Sequence, residues 1–415
     1  MKFDRRGFLG VSAAAIAAPM VKAAAPAKIV VVGGGAGGAT AARQLAMSGG
    51  GDVEVTLIEP TRTYYSCFFS NLYLGGFRDF ASLGHSYGGL ATRGVNVVHD
   101  WAVDVDGGAV NLASGGAVPF DRLILSPGID FVEGSVPGWD VTAQNAMPHA
   151  YRAGSQTELL KAQVEAMPEG GTFVMVAPPN PYRCPPGPYE RVSMIAHQLK
   201  QTNPTAKIII ADPKAKFSKM ALFEEGWAAH YSDMIEWIGP DFGGDKVSVD
   251  PTAMTVDVDG EVIKADICNV IPAMKAGLIA ERAGVADETG WAPVHAADMS
   301  ARANASIHIL GDASAQGDMP KSGFSANSQA KACASAILAA VRGEDAPDPR
   351  FLNTCWSLIA PADGVKVGAR YEATEEKIAR VSGFVSDLGE DLATRKKTYE
   401  ESLAWYEAIT SDMFG

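Results

Sequence analysis

Near its start, the chain's pattern of apolar and polar positions predicts a strand, a turn, a helix and a second strand in succession. Residues 28–32, a lysine followed by Ile-Val-Val-Val, form a run typical of a buried strand, and residues 33–38 are almost all glycine. Small residues that suit a closely packed helix follow at 39–45, and residues 53–59 form a second strand-like run that ends in an acid. This order predicts a βαβ unit with parallel strands.

The glycines of the turn have the Gly-x-Gly-x-x-Gly spacing of a dinucleotide-binding fingerprint. Gly33 permits the tight turn, Gly35 lets the backbone approach a pyrophosphate, and Gly38 lets the helix and strand pack closely. The N-terminus of the helix would face the phosphates, and Glu59 could accept a hydrogen bond from a ribose hydroxyl. The sequence therefore predicts a bound dinucleotide.

Two later segments favour FAD over NAD as this dinucleotide. Residues 120–128 form a strand and a small turn ending at Gly128, as where flavoproteins of the disulfide-reductase type return to their nucleotide domain. Residues 306–312 form a strand that leads into Gly311 and Asp312, in the place where such proteins present an aspartate to the ribityl chain. Asp312 could instead cap the turn that follows it.

The middle of the chain repeats the strand, turn, helix and strand pattern over residues 172–211, but its turn at 177–188 is rich in proline. Proline has no N–H group, so this turn lacks the donors that would bind a second pyrophosphate. We therefore expect no second nucleotide site and a small reductant other than NAD(P)H. Cys184 stands in this turn, and a cysteine flanked by prolines is rarely a core residue.

The composition of the 415 residues is that of an ordinary globular protein. Hydrophobic residues make up 47% and charged residues 20%, which excludes a disordered chain, a coiled coil and a polytopic membrane protein. There are 35 Lys and Arg against 48 Asp and Glu, a net charge of −13. This balance speaks against a nucleic-acid partner and favours a basic protein or a cation.

The first 25 residues have the layout of a twin-arginine export signal. The pair Arg5-Arg6 precedes a mild apolar run that ends in small residues, and the run at 11–20 is too short and too rich in alanine to span a bilayer. Removing this segment takes away four cations and one acid, so the net charge falls from −13 to −16. We expect a periplasmic protein with no membrane span.

The five cysteines are Cys67, Cys184, Cys268, Cys333 and Cys355. None belongs to a C-x-x-C or C-x-x-C-H motif, so the chain encodes neither a zinc ribbon nor an attached c-type haem. In an oxidising compartment, an odd number leaves at least one cysteine outside a disulfide. We expect Cys268 and Cys333 to be core residues. The histidines have no metal-ligand spacing, so no metal site is predicted.

Several segments of the chain resemble one family of flavoproteins. They are YYSCFFSN at 64–71, NPYRCPPGPYER at 180–191, PKSGFSANSQ at 320–329, NTCWS at 353–357, and the pair Trp405-Tyr406. Taken together, they are similar to the flavoprotein subunit of flavocytochrome c sulfide dehydrogenase. This group includes the related flavoprotein associated with thiosulfate-oxidation systems. The likeness runs from about residue 28 to the end of the chain.

The resemblance implies roles for individual residues. Cys67 matches the cysteine that is bonded through sulfur to the 8α carbon of FAD, and Cys184 and Cys355 match a redox-active disulfide beside the flavin. Glu190 matches an acid that could move the proton released by hydrogen sulfide. Trp405 matches an aromatic residue near the flavin.

Each of these roles has an alternative. Cys67 could simply line the pocket as a buried hydrophobe, and Cys184 and Cys355 could form an inert stabilising disulfide. Glu190, in the first turn of a helix, could favour the helix dipole without any part in catalysis. Trp405 could serve packing alone. For the two cysteines, proximity to the flavin ring is the feature that decides.

The predicted fold is α/β, with two Rossmann-like dinucleotide-binding domains of the disulfide-reductase (FAD/NAD(P)-linked reductase) type plus a C-terminal α+β cap. Residues 28–148 with 290–342 would form the FAD-binding domain, in which we also count Val103 among the cofactor-binding residues. Residues 149–289 would form a former NAD-type domain that carries Cys184. Residues 343–415 would form a flavin-binding and interface domain.

Sulfide oxidation is the chemistry that the resemblance implies. Hydrosulfide is a thiolate-type nucleophile, and its attack on a disulfide gives a persulfide and a free thiolate. Two electrons would then pass through FAD to a c-type cytochrome subunit that carries the haem. Residues 371–404 are heavily charged, which favours a soluble acceptor over a membrane quinone. Two other functions stay open, namely a sulfide:quinone oxidoreductase and an auxiliary flavoprotein of a thiosulfate-oxidising complex that acts on a sulfur-carrier thiol.

Overall fold

The structure of the protein is a computed structural model that describes residues 25–415. The predicted export signal, with Arg5 and Arg6, lies outside the described residues. The α-helices of the described part are α1 Ala36–Gly49, α2 Ser70–Leu74, α3 Gly88–Thr92, α4 Ser155–Glu165, α5 Gly187–Thr202, α6 Met220–His230, α7 Ile279–Arg282, α8 Gly323–Arg342 and α9 Leu392–Phe414.

The strands fall into three stretches of the chain. The first stretch contains β1 Ala27–Val32, β2 Val53–Ile58, β3 Thr63–Tyr65, β4 Gly84–Ser86, β5 Asn96–Val98, β6 Ala102–Asp106, β7 Ala109–Leu112, β8 Ala117–Pro119, β9 Arg122–Leu125 and β10 Ile129–Phe131. The second contains β11 Thr172–Val176, β12 Lys207–Ala211, β13 Ile235–Ile238, β14 Val247–Asp250, β15 Thr255–Val258, β16 Glu261–Lys264, β17 Ile267–Val270 and β18 Met274–Ala276. The third contains β19 Ala292–Pro293, β20 Ser300–Ala301, β21 Asn304–Ile309, β22 Ser314–Ala315, β23 Phe351–Ala360, β24 Asp363–Ala373 and β25 Ile378–Val385.

A six-stranded sheet in the order β20-β21-β9-β1-β2-β5 carries the glycine turn. All of its pairs are parallel except β20 with β21. Strand β1 is buried over its last four residues, which explains its unbroken apolar run, because parallel sheets are covered on both faces. Helices α1 and α8 pack against each other beside this sheet. The sheet thus unites the start of the chain with residues 300–309.

A second sheet has the order β13-β12-β11-β17, and all of its strands are parallel. Helix α5 connects β11 to β12 and is buried on nearly all sides over residues 187–196, as is typical of a helix enclosed by the rest of the fold. Strands β14, β15 and β16 form an antiparallel meander beside this sheet. Its β15–β16 turn holds Asp259 at φ 52° and Gly260 at φ 94°, which is the positive-φ geometry of a tight hairpin.

The C-terminal region is an antiparallel sheet, β23-β24-β25, covered by α9. Arg395 on α9 is buried and pairs with Asp363 on β24 and with Glu225 on α6, so it joins three elements. Strand β23 also contacts α5 and α8, which brings Cys355 toward the two Rossmann-like units.

The predicted fold class is confirmed, since two parallel-sheet units and a C-terminal α+β unit are all present. The numerical domain boundaries stay a prediction. Among the described residues, no helix is long and apolar enough to cross a membrane.

Candidate active site

A cavity of about 380 Å³ opens at the carboxyl ends of β1 and β9. The glycine turn, the segment after β2, the loop around Cys67 and the segment around Cys184 all contribute to its wall. The start of α8 and the turn after β21 close it from another side. The cavity therefore gathers segments from residues 33–71, 126–153, 183–191 and 311–326 at the end of the sheet where nucleotides bind in open α/β folds.

The glycine turn has the geometry expected of a pyrophosphate site. Gly33 has φ +96°, and a Cβ atom there would lie 2.4 Å from the carbonyl oxygen of Ser126. A Cβ on Gly38 would lie 1.9 Å from the carbonyl oxygen of Gly33, so only glycine allows α1 to approach the turn this closely. At Gly35 the nearest atom to such a Cβ is 3.7 Å away, on Tyr64, so the turn is open toward the cavity at that residue.

Glu59 follows β2 and lines the cavity. One carboxylate oxygen accepts a hydrogen bond from the Gly34 N–H at 2.8 Å, and the other accepts from the N–H and hydroxyl of Thr61 at 2.9 and 2.7 Å. These bonds hold the carboxylate against the glycine turn. Because each carboxylate oxygen can accept more than one hydrogen bond, a ribose hydroxyl could still bind there.

One of the two carboxylate oxygens of Asp312 has no hydrogen-bond partner. Its Oδ2 accepts a hydrogen bond from Nε of Arg183 at 2.7 Å, while its Oδ1 is buried with no hydrogen-bond partner. A buried carboxylate oxygen without a donor is costly, so a hydroxyl-bearing ligand such as a ribityl chain fits this position. Gly311 beside it has φ +70°, and its N–H donates to Gln329 at 2.8 Å, which fixes the turn.

The residues around the cavity fit FAD. The open glycine turn, the Glu59 carboxylate and the orphaned Asp312 oxygen suit the pyrophosphate, ribose and ribityl groups respectively. The N-terminus of α8, where Ser322 caps the helix by accepting from the Ser325 N–H, also borders the cavity. Oriented backbone N–H groups at such a terminus favour electronegative ligand atoms.

Cys67 and Gly128 lie on the same cavity wall as Arg183. Nη1 of Arg183 is 3.3 Å from the sulfur of Cys67 and 3.0 Å from the carbonyl oxygen of Tyr151. A Cβ on Gly128, which has φ +69°, would lie 2.7 Å from Nη2 of Arg183. The Arg183 guanidinium thus joins the Cys67 sulfur to the Asp312 carboxylate.

Cys184 lines the cavity as well, in a backbone conformation that is uncommon for a residue with a side chain. Its φ is 55°, and its N–H donates to the carbonyl oxygen of Lys321 at 2.7 Å, which offsets the strain. A Cβ on Gly187 would lie 3.0 Å from the Cys184 sulfur, so the glycine makes room for the thiol. The proline-rich turn therefore aims Cys184 into the predicted flavin site.

Cys355 lies on β23 and does not line the cavity. Burial raises the pKa of the Cys184 thiol, and negative charge on Cys355 raises it further. Burial also raises the pKa of Cys355, while the Asn353 amide, 3.4 Å from its sulfur, and Lys219 oppose that rise. All five cysteines lie within residues 25–415, and the structure has each of them as an unpaired thiol.

Glu190 lies in the first turn of α5, half-buried between α2 and β23. Its Oε2 accepts from the Asn71 amide at 2.9 Å, and its Oε1 accepts from the Leu358 N–H at 2.9 Å. Burial raises the pKa of Glu190, and these two donors oppose the rise. Both carboxylate oxygens are therefore engaged in contacts that tie the Cys184 segment to the strand of Cys355.

Two residues that we counted with the flavin site lie outside the cavity wall. Val103 is on β6, in the sheet with β7 and β8, and its carbonyl oxygen accepts from Arg282 at 2.6 Å. Trp405 is on α9 and lines a different, outer groove. Its ring centroid is 5.5 Å from that of Phe68, which does line the cavity, so Trp405 borders the site through this aromatic neighbour.

Arg183 and Lys219 belong to the site but were not predicted from the sequence. Arg183 is adjacent to Cys184, so its position next to a predicted catalytic cysteine was a signal that could have found it. Lys219 is buried beside Cys355 and Glu190, and its only signal is a lysine inside the apolar stretch 217–223.

Side chains fill the carboxyl edge of the second sheet, where a second dinucleotide would lie. Asp212, directly after β12, is fully buried and accepts from the Tyr189 hydroxyl at 2.6 Å and the Trp237 indole at 3.0 Å. Lys214 pairs with the same carboxylate and donates to the carbonyl oxygen of Pro178 in the proline-rich turn. These contacts form a polar cluster at this edge, whose members are hydrogen-bonded to one another.

Three family models match the chain. Residues 27–165 match the model of pyridine nucleotide-disulphide oxidoreductases. Residues 157–272 match the central region of the flavoprotein chain of sulfide dehydrogenase (flavocytochrome c). Residues 347–414 match the flavin-binding region of flavocytochrome c sulphide dehydrogenase.

Several solved structures share the fold. The sulfide:quinone oxidoreductase from the hyperthermophilic bacterium Aquifex aeolicus is 18% identical with a TM-score of 0.72, over 93% of this chain and 91% of that chain. A ferredoxin reductase from Rhodopseudomonas palustris is 17% identical with a TM-score of 0.65, over 88% and 89% of the two chains. A NAD-dependent persulfide reductase from A. fulgidus is 16% identical with a TM-score of 0.58, over 91% and 77%. At these identities the likeness shows the fold.

The family recognised from the sequence motifs is thereby confirmed. The chain is a flavoprotein of the sulfide dehydrogenase family, and its flavin-binding region supports FAD as the cofactor.

Proposed function

We propose that this flavoprotein oxidises sulfide to polysulfide or sulfur in the periplasm and passes the electrons to a c-type cytochrome subunit. The reaction would run through a redox-active disulfide between Cys184 and Cys355 and through FAD bound covalently to Cys67. The observation that carries the proposal is the position of Cys184, which lines the same cavity as the glycine turn and Cys67. Negative charge on Cys355 raises the pKa of Cys184, which is consistent with two neighbouring side chains.

The first step of the proposed reaction is a thiol–disulfide exchange. Hydrosulfide attacks the Cys184 sulfur, the S–S bond breaks, and the products are a persulfide on Cys184 and a thiolate on Cys355. Cys184 is the more accessible of the two sulfurs, because it lines the cavity while Cys355 does not. A second hydrosulfide could then attack the outer sulfur of the persulfide, which releases the sulfur product and leaves both cysteines reduced.

The flavin would supply a two-electron acceptor that can release its electrons singly to a haem. The residues of the chain bind and orient it. The glycine turn and Glu59 hold one end, and Asp312, fixed by Arg183, holds the middle. A bond to Cys67 would keep the cofactor attached outside the cytoplasm, where a lost FAD could not be replaced.

Glu190 is suited to receive the proton that hydrogen sulfide loses when it becomes a nucleophile. Its pKa is raised by burial, which brings proton uptake closer to neutral pH. Its hydrogen bonds to the Asn71 amide and the Leu358 N–H hold the ionised carboxylate in place and oppose the rise in its pKa.

An aromatic cluster supports a soluble one-electron acceptor. Phe68 on the cavity wall contacts Trp405 at 5.5 Å, and Trp405 contacts Trp356 at 5.4 Å and Phe324 at 6.3 Å. Trp405 and Phe324 line the outer groove, between α8 and α9. This cluster leads from the proposed flavin site to the outer surface, where a cytochrome could dock. The net charge of −16 after export suits a basic partner.

The proposal is tested by anaerobic titration of the purified flavoprotein with sulfide, followed by oxidised cytochrome c. We expect sulfide to bleach the flavin absorbance, cytochrome c to restore it, and Cys184→Ser to abolish the bleaching. Cys268→Ala is a matched control, because Cys268 is a fully buried cysteine of the second sheet, outside the cavity wall.

The rival functions predict different results. If sulfide leaves the flavin oxidised, but the protein adds activity to a thiosulfate-oxidising complex, the auxiliary role is correct. If a quinone reoxidises the bleached flavin faster than cytochrome c does, and the protein partitions into membranes, the acceptor in our proposal is wrong.

A further inference from the structure

Lys219 is a buried lysine whose charge has no carboxylate in contact. The residue is 9% exposed, and it takes part in none of the ion pairs found among residues 25–415. Its ammonium group donates to the carbonyl oxygen of Cys355 at 3.0 Å and to the hydroxyl of Ser357 at 2.8 Å. A buried ammonium held only by neutral acceptors is costly, so a function for its charge is expected.

The groups that face Lys219 are those of the proposed sulfur chemistry. Burial lowers the pKa of Lys219 to about 8, and the opposing effects come from Cys355, then Glu190, then Cys184. These groups belong to β23, to α5 and to the segment before α5, which together with α6 surround the ammonium. The oxygens of Glu190 are already bonded to Asn71 and Leu358, so the thiol pair is left as the place where new negative charge can form.

We propose that Lys219 is a positioning residue whose ammonium group stabilises the thiolate that forms on Cys355 when sulfide opens the Cys184–Cys355 disulfide. This inference rests on the proposed function. In the step concerned, hydrosulfide forms a bond to the Cys184 sulfur, the S–S bond breaks, and its electron pair stays on Cys355. Lys219 keeps its proton, so charge is conserved without any further reactant.

Other groups around Cys355 also favour a thiolate on its sulfur. The side-chain oxygen of Asn353 accepts from Ser322 at 2.6 Å, so its amide nitrogen is turned toward the Cys355 sulfur at 3.4 Å. Charge from Lys219 and this amide both lower the pKa of Cys355 against the effect of burial, and Cys184 has no such amide donor. A thiolate stabilised in this way leaves faster and raises the reduction potential of the pair.

The test measures the reduction potential of the Cys184–Cys355 pair, and it does not depend on the rate of sulfide oxidation. The flavoprotein and its Lys219→Met and Lys219→Arg variants are equilibrated anaerobically at pH 7 with glutathione buffers of known ratio. The thiols are then trapped with a maleimide, and the Cys184 and Cys355 peptides are quantified by mass spectrometry. We expect Lys219→Met to lower the equilibrium constant for reduction about tenfold, equivalent to about 30 mV for two electrons. Lys219→Arg is expected to stay close to the wild type.

The outcomes separate this inference from the function on which it rests. If the wild type forms no Cys184–Cys355 disulfide, the proposed function fails, and this inference with it. If the disulfide forms and reacts with sulfide, but Lys219→Met has the wild-type potential, only the role of Lys219 is refuted. A potential of Lys219→Arg equal to that of Lys219→Met would also refute it, because charge would then be irrelevant.

A second measurement covers the case in which Lys219→Met does not fold. With both cysteines free, the pKa of Lys219 is about 8, and negative charge on Cys355 and Cys184 raises it. A disulfide has no such charge, so above pH 8 the oxidised wild type lacks the Lys219 proton, and formation of a thiolate on Cys355 draws it back. The wild-type potential should therefore fall with pH by about 30 mV per unit more than that of Lys219→Arg, whose guanidinium stays charged. Parallel slopes for the two proteins would overturn the inference.

Discussion

The contact between Gly38 and the glycine turn gives the sharpest prediction for the dinucleotide site. In Gly38→Ala the new Cβ would lie 1.9 Å from the carbonyl oxygen of Gly33, whereas ordinary contacts begin at 3.4 Å, so α1 must move by about 1.5 Å. The carbonyl is held in place, because the Gly34 N–H of the same peptide group donates to the Glu59 carboxylate at 2.8 Å. We expect a loss of stability of about 3 kcal/mol, at the upper end for an overpacked site.

For a domain of this size, such a loss lowers the unfolding midpoint by about 6–12 °C. The assay is thermal unfolding of the flavoprotein together with its ratio of FAD to protein. Two matched glycines separate folding from binding. Gly51→Ala has no atom within 4 Å of the new Cβ and should behave like the wild type. Gly35→Ala should keep the midpoint of the apoprotein yet bind less FAD, because its Cβ enters the cavity wall without a clash.

A Gly38→Ala protein with a wild-type midpoint and full FAD content would refute the packing argument. Equal losses of FAD and stability in Gly35→Ala would instead show that this turn serves packing at both positions.

Three further predictions concern single side chains. Cys67→Ser should release its flavin on acid precipitation, whereas the wild type should keep the yellow colour in the pellet; a colourless wild-type pellet would contradict covalent attachment. Glu190→Gln should lower the unfolding midpoint, because the Asn71 amide and the Leu358 N–H face it as two donors and a glutamine offers them one oxygen. An unpaired buried donor costs about 1–3 kcal/mol, and an unchanged midpoint would rule this out. Lys219→Met should be more stable than the wild type near pH 7, by up to about 3 kcal/mol, because burial lowers the pKa of Lys219 from 10.5 to about 8. Between these values the unfolded chain holds the proton that the native chain releases, so wild-type stability rises with pH and the advantage should fade in urea unfolding by about pH 10; a constant difference would contradict the pKa.

Much of the FAD site could be predicted from sequence because its requirements are local. The positions of Gly33, Gly35 and Gly38 follow from backbone conformations and close approaches within one strand–turn–helix unit. Their spacing in the sequence is therefore enough to identify the turn. The aspartate after β21 is likewise marked by the strand and glycine that precede it. The family motifs then pointed to Cys67 and Cys184, both of which line the cavity.

Other parts of the site were decided by tertiary structure alone. Arg183 reaches Asp312, 129 positions away in the sequence, and Lys219 reaches the Cys355 carbonyl, 136 positions away. Val103 had no comparable constraint, and the structure places it on β6, away from the cavity.

The sequence by itself determined the strand–turn–helix units, the glycine turn and the family, and it predicted the cysteines to which we assign the chemistry. Tertiary structure decided which charges surround those cysteines. The physical reason is that backbone geometry depends on neighbours a few residues apart, which a spacing records. The charge state of a buried group depends on its burial and on partners that come from distant segments of the chain. Lys219, Glu190 and Cys355 are such partners, and the spacing of residues along the sequence does not show that they meet.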